Sequence, residues 1–262
     1  MIAPLSTPPD TADERLVGSD RVLAVLTELA AQPEGVSLDD ISRAVDSPKP
    51  TVHRALAALR RAGLATQDAR GHYVLGDEFL RMAFAHHEAR PDHVRVHGIL
   101  NRLAERFGET THYAVLDGTT VVYRSKVDPP VGAMRLTSMV GGRNPAHLTA
   151  VGKLLLSREL TTRDAVAAWV GDRTLEARTP QSLTTVDALH ADFEKIRGLG
   201  YAVDAQENEY GIDCLAMPAY LTSPTIPSGA ISVSALSYRT PLAVLVEAAS
   251  EIAAIIEEGP AS

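Results

Sequence analysis

Residues 46–63 read DSPKPTVHRALAALRRAG and decide the fold of the N-terminal part of the chain. Ser47 can cap a helix with Pro48 at its first position, because a proline there costs no helical hydrogen bond. Gly63 ends the pattern. The apolar residues in between recur at helical spacing and predict one buried face: Val52, Ala55, Leu56 and Leu59.

The first turn of this predicted helix is polar and basic, since it carries Lys49, Thr51, His53 and Arg54 around Pro50. Such side chains at the positive end of a helix dipole bind phosphates and base edges. The chain has a net charge of −8, but residues 41–75 hold six basic and two acidic residues, 6 − 2 = +4, which leaves −8 − 4 = −12 elsewhere. A basic module on an acidic body predicts one nucleic-acid face, although charges also cluster on solvated surfaces.

The segment before this helix predicts two further helices. Ser19 or Asp20 can cap the first of them. Ser37 and Asp40 form a capping box at the start of the second, which is short. The second and third helices, joined by a tight turn, predict a helix-turn-helix over about residues 37–56.

The segment after the helix predicts a hairpin. Residues 64–67 and 72–75 alternate like strands, and the turn between them places Arg70 at the tip. A helix-turn-helix followed by such a hairpin predicts a winged helix-turn-helix domain over residues 16–77. We predict that DNA contacts come from the polar turn and the tip: Lys49, Pro50, Thr51, His53, Arg54 and Arg70.

Residues 78–92 predict a linker helix with an apolar stripe that includes Leu80, Met82 and Phe84. A stripe of this kind needs a partner surface. Packing against the same stripe of a second copy and packing against the chain's own C-terminal domain both supply one. We favour the second copy, because a homodimer presents two reading heads to a palindromic operator.

Residues 93–262 change to strands joined by hairpins and covered by helices, which predicts an α+β domain around an antiparallel sheet. Strands are predicted over 110–116, 119–127, 201–203, 215–220 and 230–236. Residues 141–145 are predicted to form a loop. Helices are predicted over 146–156, over 184–199 with a capping box of Thr184 and Asp187, and over 242–256.

Composition excludes several classes of protein. The single cysteine, Cys214, excludes an intramolecular disulfide and a multi-cysteine metal site and fits the reducing cytoplasm. No apolar run approaches the roughly 18 residues of a membrane span. Residues 1–15 lack the pattern of a signal peptide and predict a disordered lead-in. We expect a cytoplasmic protein, nucleoid-associated when DNA-bound, with no membrane, metal or cofactor.

An enzyme is the alternative interpretation. Cys214 with His112, His147 or His190 could supply a nucleophile and a base, as in a cysteine-dependent hydrolase fused to a DNA-targeting module. The local sequence contains no glycine-rich nucleophile turn, and a buried cysteine is more often a small apolar residue. A pocket that binds without reacting is therefore the favoured interpretation, and we expect no enzyme. A third interpretation is an adaptor whose winged helix contacts another protein.

Motifs along most of the chain resemble the IclR family of bacterial transcription regulators. The resemblance extends over residues 17–256 and is carried by PKPTVHR at 48–54, GHYVLG at 71–76, VGK at 151–153, the D-x-x-E-x-x-x-G-x-x-C-x-A-x-P string at 204–218 and AISVS at 230–234. It implies a winged helix-turn-helix, a linker helix and a GAF-like effector domain. It also implies dimers or dimers of dimers on a double-stranded DNA operator, and we expect a repressor.

The resemblance further implies a small organic effector, often a carboxylate or an aromatic catabolite. The family's effector contacts fall here on Ala150, Val151, Asp204, Cys214, Ser232 and Ser234. Strand alternation puts the two serines on one face, and hydroxyls beside helix N-terminal amides form a receptor of carboxylate size.

The sequence departs from the family pattern at four places. Pro50 replaces the usual serine of the DNA-facing turn, and Asp46-Ser47 stands where Gly-Leu is common. Ala150 and Val151 make one wall of the expected pocket apolar, which favours a larger or less polar effector. The loop over residues 222–227 is longer than usual.

Overall fold

The computed structural model describes residues 18–88, 91–129, 136 and 138–259. The predicted lead-in over residues 1–15 lies outside these described residues. The chain divides into two compact units, residues 1–90 and 91–262. Within the described ranges, no helix combines the length and the apolar character that crossing a membrane requires.

The N-terminal unit has three helices, a two-stranded hairpin and a further helix. The elements are α1 (Gly18–Ala31), α2 (Leu38–Ala44), α3 (Lys49–Arg61), β1 (Ala65–Gln67), β2 (Tyr73–Leu75) and α4 (Asp77–Glu88). Strands β1 and β2 pair antiparallel, with Ala65 opposite Leu75. The small core includes Val25, Leu29, Ile41, Leu56 and Tyr73. This arrangement is the predicted winged helix-turn-helix.

The capping predictions around the turn are confirmed at Ser37 and wrong at Ser47. The Ser37 Oγ accepts the Asp40 N–H at 3.2 Å and donates to the Asp40 carboxylate at 2.6 Å. The Ser47 Oγ instead donates to the Val45 carbonyl and accepts from the Arg21 guanidinium, both at 3.1 Å. Helix α3 therefore begins at Lys49, one residue later than predicted, with Pro48 as its N-cap residue.

Asp46 closes the turn between α2 and α3 with φ at 45°, in the left-handed region. A side chain costs free energy there that glycine avoids, so Asp46→Gly is expected to stabilise this turn by about 0.5–1 kcal/mol. Hydrogen exchange of the α3 amides in the full-length protein should slow accordingly. Asp46→Asn is the control, because asparagine tolerates the left-handed region and removes only the charge. Equal slowing in both variants would assign the effect to charge instead.

The linker prediction over residues 78–92 needs a correction at its end. Helix α4 spans Asp77–Glu88, and residues 89–90 lie outside the described ranges. Residues 91 and 92 belong to the next helix, which begins at Pro91. The apolar side chains of the stripe are largely exposed: Leu80 by 47%, Met82 by 53% and Phe84 by 61%.

The C-terminal unit is built on a six-stranded sheet with helices on both faces. Its first elements are α5 (Pro91–Phe107), β3 (Thr110–Asp117), β4 (Thr120–Val127), β5 (Arg143–Pro145), a 3-10 turn (Ala146–Leu148) and α6 (Ala150–Glu159). The remainder are α7 (Arg163–Val170), α8 (Val186–Leu199), β6 (Ala202–Ala205), β7 (Ile212–Ala219), β8 (Gly229–Leu236), α9 (Leu242–Glu247) and α10 (Ala249–Glu258).

All strands of this sheet pair antiparallel, in the order β5-β4-β3-β8-β7-β6. Because side chains alternate along each strand, the two faces of the sheet contribute to two separate cores. One lies under α6, α7 and α8 and includes Leu154, Leu156, Val166, Leu189 and Phe193. The other lies under α5, α9 and α10 and includes Val96, Leu100, Leu215, Val233 and Ile252. The predicted α+β class is confirmed.

Several predicted boundaries in this unit are wrong. Residues 146–148 form a 3-10 turn rather than the start of a helix, because Thr149 caps α6 by accepting the Gly152 N–H. Thr185, not Thr184, caps α8 by accepting the Ala188 N–H. The predicted loop contains the short strand β5, α7 was not predicted, and the last helix breaks at Ala248 into α9 and α10.

Candidate functional site

The polar first turn of α3 projects from the N-terminal unit, because the opposite face of the helix is buried in the core. Lys49, Pro50, His53 and Arg54 are exposed, and Thr51 is half-buried. The Lys49 Nζ lies 2.8 Å from the Asp39 carboxylate. An exposed pair of this kind is worth at most about 1 kcal/mol, so a phosphate can displace the carboxylate. The turn thus offers basic and hydroxyl groups to a ligand outside the protein.

Arg70 lies at the tip of the hairpin, as predicted, but its guanidinium already has partners. The Nε lies 3.0 Å from the Asp68 carboxylate, and the Nη2 donates to the Glu34 carbonyl at 3.0 Å. The Asp68 carboxylate also accepts the His72 N–H at 2.8 Å. Arg70 is therefore held against the hairpin by its Nε and Nη2, while its side chain stays largely exposed and its Nη1 is directed to neither of these partners.

In the C-terminal unit, the sheet register brings together four predicted residues that are far apart in the chain. Asp204 pairs with Cys214, and Cys214 pairs with Ser234, so their side chains share one face. Ser232 lies on the same face because it is two residues before Ser234. We call Asp204, Cys214, Ser232 and Ser234 the polar row. It lies on the face that α6 covers, since Cys214 packs with the core under that helix.

The first turn of α6 brings Ala150 and Val151 to the same core. The first N–H groups of a helix have no acceptor within the helix. The Thr149 hydroxyl takes the Gly152 N–H at 3.1 Å, and the Thr149 carbonyl takes the Lys153 N–H at 2.9 Å. Neither of these two cap bonds uses the N–H groups of Ala150 and Val151, which are of the kind that binds anions at helix N-termini.

Burial sets the protonation of the polar row. Burial, with the negative charge of Glu207, raises the pKa of Asp204 to about 7, although its carboxylate accepts the Glu207 N–H at 2.6 Å. Burial, together with the charge of Asp204, raises the pKa of the Cys214 thiol well above its ordinary value. The thiol donates to the Ser234 Oγ at 3.1 Å. At neutral pH the row therefore presents a thiol, two hydroxyls and a carboxyl group close to its titration point.

His112 is a neighbour of the polar row that the sequence analysis considered only as a possible base for Cys214. It lies on β3 opposite Ser232, with 2% of its surface exposed. Its Nδ1 is 3.3 Å from the Ser234 Oγ, so it contacts the serine hydroxyl. Of the other two candidate bases, His147 bonds to the Glu176 carbonyl at 2.9 Å and His190 is half-buried on α8.

Two further groups near the row were missed. The Tyr123 ring centroid lies 4.9 Å from that of His112, and the Asn144 Nδ2 donates to the Tyr123 hydroxyl at 3.2 Å. The fully buried Lys153 Nζ lies 2.5 Å from a Glu207 carboxylate oxygen and 3.0 Å from the Asp192 carboxylate. A lysine within the helix predicted over 146–156 gave no signal of burial, because its partners lie far along the chain.

Among the residues that the structure describes, no group of three or more histidine, cysteine or acidic side chains lies close enough to hold a metal ion. The geometry described above leaves two candidate sites. One is the exposed first turn of α3. The other is the polar row with the first turn of α6.

Comparison with known proteins yields two matching families. The family described as "IclR helix-turn-helix domain" matches residues 19–69. The family described as "Bacterial transcriptional regulator IclR C-terminal" matches residues 93–257. These matches cover both units and both candidate sites.

Individual relatives agree with the family matches. "HTH-type transcriptional regulator XynR" of Escherichia coli is 30% identical over 242 residues, covering 84% of this chain and 86% of the relative. "Transcriptional repressor IclR" of Escherichia coli is 28% identical over 218 residues, covering 82% and 78%. The crystal structure of an IclR homologue complexed with 4-hydroxybenzoate, from Microbacterium hydrocarbonoxydans, shares the fold with a TM-score of 0.69 at 20% identity, covering 90% of this chain and 99% of that chain.

Proposed function

The chain belongs to the IclR family of bacterial transcriptional regulators, and we propose that it is a repressor whose operator affinity a small organic carboxylate controls. The observation that carries the effector half of this proposal is the convergence of α6, β6, β7 and β8 on the polar row, in which Asp204, Ser232 and Ser234 are buried and Cys214 is half-buried. A relative named as a repressor supports the direction of control. On this proposal the protein works in the cytoplasm, nucleoid-associated when it holds its operator.

A carboxylate suits the chemistry of the row. The N–H groups of Ala150 and Val151 and the hydroxyls of Ser232 and Ser234 are donors, and a carboxylate is an acceptor. Burial strengthens each of these hydrogen bonds, because the local dielectric constant is low. The apolar side chains at the start of α6 favour an aromatic body behind the carboxylate. The homologue that holds 4-hydroxybenzoate makes that compound a reasonable first probe.

Enzymatic turnover does not fit the proposal. A nucleophilic cysteine acts as the thiolate, and the pKa of Cys214 is raised by burial and by Asp204. The thiol donates a hydrogen bond to the Ser234 hydroxyl, which accepts this bond and does not remove the thiol proton. Cys214 is therefore proposed as a hydrogen-bond donor in a binding site, not as a nucleophile.

Self-association completes the proposed switch. The apolar stripe of α4 exposes about half of Leu80 and Met82 and more of Phe84. Apolar patches of this kind mark interaction surfaces. A second copy of α4 is the proposed partner, since a two-fold dimer would carry two α3 helices to two half-sites. The same scheme extends to dimers of dimers.

Arg54→Ala is expected to weaken binding to a promoter fragment from upstream of the protein's own gene by about 10- to 100-fold. A good arginine contact with a base is worth about 1–3 kcal/mol. Fluorescence anisotropy at fixed physiological salt measures the affinity. Arg60→Ala is the matched control, because Arg60 is also exposed on α3 but lies in its last turn. Equal affinity of Arg54→Ala and wild type would refute the proposed reading turn.

Addition of 4-hydroxybenzoate is expected to change the operator affinity of the wild type by about 5- to 150-fold, the usual range of allosteric coupling. Ser234→Leu should abolish that response and leave DNA binding intact, because the leucine fills the polar row and leaves every residue of the N-terminal unit unchanged. The same anisotropy titration, with and without the compound, measures both. Loss of DNA binding as well would indicate misfolding, and an unchanged response would exclude the polar row as the effector site.

A further inference from the structure

His112 connects the polar row to the segment of residues 138–142. Its Nδ1 faces the Ser234 Oγ at 3.3 Å, and its Nε2 faces the Ser138 Oγ at 2.8 Å. Burial, with the positive charge of Lys126, lowers the pKa of His112 to about 3, so the ring is neutral under physiological conditions. A neutral imidazole has one N–H donor and one nitrogen acceptor, so it accepts a hydrogen bond from one serine and donates one to the other.

These groups have one arrangement in which each donor finds an acceptor. The Cys214 thiol donates to the Ser234 Oγ at 3.1 Å. The Ser234 hydroxyl can then donate to Nδ1 of His112, and the ring proton on Nε2 donates to the Ser138 Oγ. The opposite tautomer, with the proton on Nδ1, leaves the Ser234 hydroxyl proton without an acceptor among these groups. An unsatisfied buried donor costs free energy, so the Nε2–H tautomer is favoured.

A bound carboxylate reverses this preference. A carboxylate only accepts hydrogen bonds, so it must accept the hydrogen bond that the Ser234 hydroxyl otherwise donates to His112. Nδ1 must then carry the ring proton and donate to Ser234, while Nε2 accepts from the Ser138 hydroxyl. One proton leaves Nε2 and one is taken up at Nδ1, so the ring stays neutral and the proton count is unchanged.

We propose that His112 is a positioning residue that orients the Ser234 hydroxyl and reports effector occupancy to residues 138–142 by exchanging tautomers. This inference rests on the proposed effector function of the polar row. The segment is tied to β4 at Ser138 itself and again at Gly141. Lys126 Nζ donates to the Ser138 carbonyl at 2.8 Å, and the Gly141 N–H donates to the Tyr123 carbonyl at 2.7 Å.

A reversal of the His112–Ser138 hydrogen bond therefore acts on a segment that is hydrogen-bonded to β4. Met139 and Val140 follow Ser138 directly and expose about half of their surface, 48% and 51%. A change at Ser138 therefore reaches the surface of the C-terminal unit within two residues. The polar row thereby gains a hydrogen-bonded route outward through two side chains.

The tautomer can be measured directly in the full-length protein labelled with 15N-histidine. The signals that disappear in the spectrum of His112→Gln are those of His112. The protonated and unprotonated ring nitrogens resonate far apart, so the assigned signals identify the tautomer. We expect the Nε2–H tautomer in the free protein and the Nδ1–H tautomer with saturating 4-hydroxybenzoate. The proposal is overturned if the free protein shows Nδ1–H, or if bound and free protein show the same tautomer.

A ligand-independent variant separates this proposal from the proposed function. Ser234→Ala removes the hydroxyl that donates to Nδ1, so the preference for Nε2–H should weaken and the free variant should show a larger share of Nδ1–H than the wild type. An unchanged preference would refute the relay. If 4-hydroxybenzoate does not bind the wild type, this compound is not an effector of the protein, and the free-protein spectra of wild type and Ser234→Ala still decide the role of His112.

Ser138→Ala tests transmission without touching the polar row. We expect 4-hydroxybenzoate affinity within about twofold of wild type, and a coupling factor between effector and DNA reduced by about fivefold or more, out of the usual 5- to 150-fold range. Ser250→Ala is the control, because Ser250 is exposed on α10. Full coupling in Ser138→Ala, or a parallel loss of effector affinity, would contradict transmission through Ser138.

Discussion

Replacing Lys153 with methionine is expected to lower the free energy of unfolding of the C-terminal unit by about 3–5 kcal/mol at neutral pH, the usual cost of breaking a buried ion pair from one side. The Lys153 side chain is fully buried between the carboxylates of Glu207 and Asp192. Burial alone would lower the pKa of Lys153, but these two charges raise it. Methionine fills similar space and leaves both carboxylates without their cation.

The stability deficit of Lys153→Met should shrink as the pH falls toward 5. Burial already raises the pKa of Glu207, and Lys153 is the main group that lowers it, so the variant raises the pKa of Glu207 further. A carboxyl group with a raised folded-state pKa contributes stability that is present below its unfolded value, 4.5, and lost as the pH rises through its folded value. Because the folded-state pKa of Glu207 is higher in the variant, lowering the pH toward 5 restores more stability to the variant than to the wild type.

Trp169, the single tryptophan, lies on α7 and reports unfolding of the C-terminal unit in urea. Lys195→Met is the matched control, since Lys195 is exposed on α8, and it should change stability by less than about 0.5 kcal/mol. Adding Glu207→Gln to Lys153→Met should recover part of the loss, because one stranded charge is removed. Equal losses at Lys153 and Lys195, or a deficit that ignores pH, would contradict the account.

The fold of the N-terminal unit could be predicted from the sequence because its signals are local. The helical spacing from Val52 to Leu59, the capping box at Ser37 and the short hairpin each occupy a few consecutive residues. The errors there are small. The Ser47 hydroxyl was predicted to cap α3, but Arg21, 26 residues earlier in the chain, is among its partners.

The polar row could be predicted only through resemblance. Asp204, Cys214 and Ser234 meet because β6, β7 and β8 pair in one register, and a slip of one residue would turn each side chain to the other face. Nothing in the individual strands fixes that register. His112 was missed as a neighbour of Ser234 for the same reason, since β3 pairs with a strand more than 100 residues later.

The start of α6 was misplaced because Ala146, His147 and Leu148 continue the apolar pattern of the helix. The structure bends there into a 3-10 turn that folds back on the helix, and a close backbone contact decides this bend. A Cβ at Gly152 would lie 2.2 Å from the Ala146 carbonyl oxygen. The spacing of apolar residues indicates which face of a helix is buried, but it does not show that a backbone segment lies against that face.

Gly152→Ala is accordingly expected to destabilise the C-terminal unit by about 3 kcal/mol, at the upper end of the cost of overpacking. The neighbour is backbone rather than a flexible side chain, so either the 3-10 turn or the start of α6 must move. That movement displaces the N–H groups of Ala150 and Val151. The variant should therefore lose any response to 4-hydroxybenzoate as well as stability.

Gly198→Ala makes the same chemical change with the opposite expected sign. Gly198 lies in α8, and a Cβ built there meets no atom within 4 Å. Alanine is the better helix former, so this variant should gain about 0.5–1 kcal/mol. Urea unfolding followed by Trp169 fluorescence compares both variants with wild type. If Gly152→Ala matched Gly198→Ala in sign, the close approach of Ala146 would not be what fixes the first turn of α6, and the anion-binding geometry assigned to that turn would lose its structural cause.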